Sequence, residues 1–163
     1  MKKTAKSLAL ASLPLAMILS TPALSQSLTI GLTSEPTAVD PHFHNLGPNN
    51  ALRSHIFEGL TQADENQQNV ASLASDWEAV DDTTWRFNLR EGVTFSDGTP
   101  FDATDVVYTI CRVPTVENSP SSFTSFVSGI SEIEIEDPHT IVFKTDAPVP
   151  LLPTNFASVG IVS

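Results

Sequence analysis

Apolar and polar residues alternate over several short stretches of this chain and recur at helical spacing over others. Leu28, Ile30 and Leu32 fall on one side of residues 27–33, which predicts a strand. Residues 34–50 carry Pro36, Pro41, Gly47 and Pro48 among Asn and His, and read as a long loop because such residues interrupt helix and strand alike. Asn49 or Asn50 is placed to cap a helix in which Leu52, Ile56 and Leu60 recur every four residues, with Gly59 as its C-terminal stop. The polar run 62–69 predicts a surface loop.

The clearest alternation lies at 84–90, where Trp85, Phe87 and Leu89 are separated by Arg86, Asn88 and Arg90. It predicts a half-buried strand in which Trp85→Ala would cost about 3–5 kcal/mol. Val93 and Phe95 extend the strand, and residues 96–99 (Ser-Asp-Gly-Thr) form a tight turn with Gly98 at positive φ. Asp102 caps the next helix, with Asp105 in its first turn. Ala103, Val106, Val107, Ile110 and Cys111 form one apolar stripe, and Pro114 ends the helix. On that stripe Cys111 is expected to pack in the core rather than do chemistry. Ile133 and Ile135 alternate with Glu132, Glu134 and Glu136, and Ile141 and Phe143 return after Asp137-Pro138-His139. This predicts a hairpin with a solvated acidic outer face. The apolar residues 156–163 read as a last strand.

Charge narrows the partners. The 163 residues hold 8 Lys and Arg against 19 Asp and Glu, a formal net charge of −11. Three of those cations, Lys2, Lys3 and Lys6, precede an apolar run at 8–19 and the small-x-small triplet Ala23-Leu24-Ser25. That order is a secretory signal peptide over residues 1–25, with an apolar run too short for a membrane span. The mature chain then starts near Gln26 with a still more acidic balance, which disfavours nucleic acid and anionic membrane surfaces. No cysteine follows the cleavage site to carry a lipid anchor, and the single Cys111 can neither close an intrachain disulfide nor build a cysteine zinc site.

Signatures of catalysis are missing from the sequence. There is no Gly-rich phosphate loop, G-x-S-x-G elbow or H-E-x-x-H. His42-x-His44 is the one metal-like spacing, with His55 and His139 as distant third ligands. Loop histidines making hydrogen bonds are the plainer reading of the same residues.

Three stretches carry a family likeness. The first is SEPTAVDPHFHNLGPNNALRSHIFEGLT at 34–61, and the second ASDWEAVDDTTWRFNLREGVTFSDGTPFDATDVVYTI at 74–110. The third is ISEIEIEDPHTIVFKTDAPVPLL at 130–152. Together they resemble the family 5 extracellular solute-binding proteins, the periplasmic receptors of ABC importers for dipeptides, oligopeptides, nickel chelates and related solutes. The second stretch is the most specific, because many positions agree at fixed spacing.

The resemblance implies an α/β (mixed α+β) chain. It would be part of a two-lobed, type II periplasmic-binding-protein-like fold with an extra subdomain, truncated before the second lobe. Residues 26–60 would start the main lobe, 61–150 form the inserted subdomain, and 151–163 return to the main lobe. It also implies a monomeric periplasmic receptor that holds a small solute, a peptide first of all, without covalent chemistry or cofactor, and docks on an inner-membrane permease. The expected ligand-binding residues are His42, Phe43, His44, Asn45, Asn49 and Asn50 in the first loop. Phe123, Asn155, Ser158 and Val159 complete the set. A nickel-chelate receptor is the alternative within the family. A small secreted metal-dependent enzyme built on His42, His44 and His139 is the alternative from another class.

Overall fold

Phe87 lies at the centre of the fold because alternation places it on the inward face of a central strand. A computed structural model describes residues 28–31 and 34–163. Its larger sheet has four antiparallel strands in the order β3 (Ala74–Asp81), β4 (Thr84–Leu89), β6 (Thr140–Thr145), β5 (Ile130–Asp137). Register sets Trp77 beside Phe87 and Phe87 beside Ile141, while Trp85 lies beside Phe143 and Phe143 beside Ile133. One face is therefore apolar. On the other, Arg86 pairs with Glu136 at 2.6 Å, and Lys144 with Glu132 at 3.1 Å and Glu134 at 3.5 Å. The acidic outer face of the hairpin is thus partly neutralised by cations on neighbouring strands. Val142, which shares that face, is nonetheless buried, flanked in register by Arg86 and Glu134.

A short hairpin, β1 (Thr61–Ala63) with β2 (Asn69–Ala71), precedes the sheet. Its turn covers most of the predicted loop at 62–69. Helix α1 spans Gly47–Arg53, α2 Ala103–Arg112 and α3 Leu152–Phe156. In α2, Asp102 accepts from Thr104 N at 2.7 Å and Asp105 accepts from the Asp102 N–H at 2.9 Å, a full capping box. Ala103, Val106 and Ile110 enter the core. Phe156 of α3 closes it, with ring centroids 5.3 Å from Phe87 and 4.8 Å from Phe143.

Several expectations change. Trp85 is only half-buried, so its truncation costs less than a fully buried aromatic would. Cys111 is exposed; the buried face of α2 is turned the other way and takes in Thr109, bonded through Oγ1 to the Val162 carbonyl at 3.2 Å. Helix α1 begins at Gly47 with Leu46 as its cap residue and no side-chain cap. Asn49 lies inside it, because Pro48 is already pre-set for the first turn. The helix ends at Arg53, leaving Ile56 53% exposed, and Leu60 reaches the core from beyond it. Residues 28–31 form no strand, and Leu28 and Ile30 are exposed. Alternation alone does not supply a ladder partner. Residues 157–163 are irregular rather than a strand. The signal-peptide segment lies outside the described residues.

Gly59 serves packing, not helix termination. A Cβ there would lie 2.3 Å from the Phe156 carbonyl oxygen and 3.0 Å from that of Thr61. Both are backbone atoms, so relief requires moving α3 off the core. Gly59→Ala should lower stability by about 1–3 kcal/mol, read as a lower urea midpoint at unchanged slope. A midpoint equal to wild type would mean the two segments are not held this closely.

Candidate functional site

The first loop, a Pro- and Asn-rich segment unable to form a ladder, is held by side chains instead. Asp40 accepts from the His42 backbone N–H at 2.9 Å, an Asx turn that fixes the Pro41–His42 corner. Arg112, from the last turn of α2, grips the same carboxylate through Nη1 to Oδ1 at 3.1 Å and Nη2 to Oδ2 at 2.5 Å. Its Nη1 also lies 2.7 Å from His42 Nδ1. A guanidinium only donates, so Nδ1 is the acceptor and the ring proton sits on Nε2. Nε2–H in turn donates to the Gly160 carbonyl at 2.8 Å. One neutral, fully buried imidazole thereby links the first loop, α2 and the exit segment.

Burial lowers the His42 pKa from its ordinary 6.5; the Gly160 hydrogen bond opposes this, and the Arg112 charge adds to it. Asp40 offsets part of that effect, and Arg53 contributes a further small lowering. Asp40 is held below 3.8, chiefly by the hydrogen bond from Arg112. The sign follows from proton binding. Between 6.5 and the lowered folded value, the unfolded chain takes up a proton at His42 that the folded chain refuses. Stability should therefore be full above pH 6.5 and fall as pH drops through that window, with Asp40 adding a second loss below 3.8. Urea midpoints measured from pH 7.5 to 5 check the first step. A His42→Gln variant should flatten that part of the profile, and an unflattened profile would assign the loss elsewhere.

The other first-loop residues divide by burial. Asn49 is buried and staples the loop, accepting from Thr37 N at 3.2 Å and donating to the Ala38 carbonyl at 3.2 Å. Phe43, His44, Asn45 and Asn50 are half-buried. Phe43 and Asn45 engage the 119–121 segment: the Phe43 carbonyl accepts from Ser119 Oγ at 2.5 Å, and Asn45 N donates to Ser121 O at 2.9 Å. His44 Nδ1 lies 2.9 Å from Thr37 Oγ1. Asn50 donates to Asn45 Oδ1 at 2.8 Å.

His42, Asn49, Phe123 and Val159, expected to face a solute, are thus sealed in the protein, at 0%, 5%, 1% and 1% exposure. Phe123 packs edge-on to His42 and supports Arg53, whose Cζ stands 5.8 Å from the ring centroid. Asn155 and Ser158 are half-buried in and just after α3. No described side-chain hydrogen bond joins them to the first loop. Sequence reasoning passed over Asp40, Arg53 and Arg112. Asp40 beside a Pro-His corner was the visible cue for the first and third; nothing local marks Arg53. Among the described residues no three His, Cys, Asp or Glu side chains come together as a metal cluster, so His42, His44 and His139 do not assemble the site that a metal-dependent enzyme would need.

Residues 68–163 match the profile of bacterial extracellular solute-binding proteins, family 5 Middle. The chain belongs to this family. Among curated relatives, the periplasmic murein peptide-binding protein MppA of Escherichia coli is 28% identical in a 151-residue alignment that covers 81% of this chain and 28% of that protein. The periplasmic oligopeptide-binding protein OppA of Escherichia coli is 30% identical in a 142-residue alignment that covers 77% of this chain and 26% of OppA. Among solved structures, OppA of Burkholderia pseudomallei superimposes with a TM-score of 0.70 at 28% identity, covering 77% of this chain and 28% of that one. The mixed α/β fold thus resembles one lobe of a periplasmic-binding-protein-like architecture. The chain spans just over a quarter of the length of these relatives.

Proposed function

We propose that this protein is the periplasmic substrate-binding component of an ABC importer, binding di- and oligopeptides non-covalently and carrying out no reaction. The observation that carries this reading is that the relatives matched over most of this chain are named for binding murein peptides and oligopeptides. In this reading residues 1–25 direct export. Residues 26–60 open the main lobe, 61–150 form the inserted subdomain, and 151–163 lead back to the main lobe. Arg112 and His42 then act at the joint between these parts, since they tie the first loop to Gly160. Phe43, His44, Asn45 and Asn50 are the first-loop residues left accessible for a solute. The partner is an inner-membrane permease, and the receptor works as a monomer.

A thermal-shift screen of the purified protein against peptide, nickel-chelate, opine and sugar pools tests it. A ligand at about a hundred times its Kd stabilises the folded state by about 2.7 kcal/mol. The peptide pool should raise the melting temperature. A rise with the nickel-chelate pool alone would replace the peptide with a chelate, and no rise with any pool would contradict the receptor reading.

A further inference from the structure

Five cations follow residue 26, and three are accounted for by ion pairs: Arg86 with Glu78 and Glu136, Arg112 with Asp40, and Lys144 with Glu132 and Glu134. Arg90 is exposed, where water serves it. Arg53 is different. It is half-buried at the C-terminal end of α1, and no carboxylate among the described residues lies within ion-pair distance of it. Its Nε–H is buried without an acceptor, and the Asn50 Oδ1 one turn earlier is buried without a donor. The guanidinium stands over the Phe123 ring, whose own position is fixed by burial against His42.

Burying the Nε–H of a half-buried guanidinium without an acceptor is unfavourable, and in a chain with nineteen acids a structural partner would be easy to supply. Burial alone already lowers the Arg53 pKa, with no carboxylate to raise it. A guanidinium backed by an aromatic ring, its Cζ 5.8 Å from the ring centroid, can still present its planar fork to a carboxylate through two parallel hydrogen bonds. The half-buried Asn45 and Asn50 stand alongside on the first loop and α1, supplying amide groups for the rest of a peptide-like ligand.

We propose that Arg53, supported by Phe123 and flanked by Asn50, is an anchor for the carboxylate of the bound solute. The proposal rests on the peptide-receptor reading for the identity of the solute, but not for the existence of the anion site.

Two measurements separate the two. Trialanine and its C-terminal amide are titrated into wild type, R53Q and R53K. Wild type should favour the acid by at least tenfold, R53Q should lose that preference, and R53K should keep part of it. Equal affinity of wild type for acid and amide, or a preference that survives in R53Q, would overturn the anchor and leave the peptide receptor standing. Acetate is titrated separately into 15N-labelled wild type while the Arg53 Nε–Hε resonance is followed, which needs no variant to fold. A saturable shift supports the anion site even if neither peptide binds, in which case only the receptor reading fails. No shift with acetate or trialanine would overturn the site.

Discussion

Phe87→Ala should cost about 3–5 kcal/mol, the range for deleting a fully buried aromatic side chain. The ring is 0% exposed and meets three others: Phe156 at 5.3 Å, Phe143 at 5.5 Å and Trp77 at 6.2 Å between centroids. Those partners come from α3 and from strands on both sides of β4, so none can collapse into the void without dragging its element along. Trp85→Ala, two residues away on the same face but half-buried, should cost distinctly less. Because a domain's stability is commonly only about 5–15 kcal/mol, the Phe87 loss should be visible as a large fall in urea midpoint. A loss below about 1 kcal/mol, or a larger one for Trp85, would mean that the core lies elsewhere.

Arg112→Ala should cost about 2–3 kcal/mol. The pair it breaks is charge-assisted and bidentate, but its side chains are 27% and 33% exposed, so water recovers part of the loss. The heavier term is His42, whose buried Nδ1 would lose its only donor. The same change removes a cation 2.7 Å from the imidazole, so the His42 pKa should rise towards its ordinary value even though burial still opposes protonation. Nuclear magnetic resonance titration of His42 checks this. A stability loss without any rise in that pKa would show that Arg112 does not contact the ring. Arg112→Lys should recover some of the stability, since an ammonium can serve one acceptor but not the fork.

Much of the sheet was legible because period-two alternation survives where one face is buried. The 84–90 and 130–145 segments announced themselves in this way, and Asp102 with Asp105 announced α2. Strand β3 did not, because six of its eight residues are exposed at the sheet edge, so no apolar face repeats along it. Cys111 was misplaced because a helical stripe read at i+7 and i+8 ignores which neighbour covers it; the chain after α3 covers Thr109 instead. The site was legible only as a loop. His42 looked like a ligand-facing residue, yet the network that consumes both its nitrogens joins positions 70 and 118 residues away. Such long-range polar pairing leaves no periodic trace. Arg53 was hidden for the opposite reason: its distinction is the lack of a partner, which only coordinates reveal.

The peptide-receptor claim is tested most directly by titration calorimetry of the folded protein with alanine di- to pentapeptides and, separately, with a nickel–histidine chelate. The account predicts saturable one-to-one binding of at least one peptide, with a negative heat-capacity change from buried apolar surface. Saturable heat with the chelate alone, or none with any peptide from a chain that unfolds cooperatively, would contradict it.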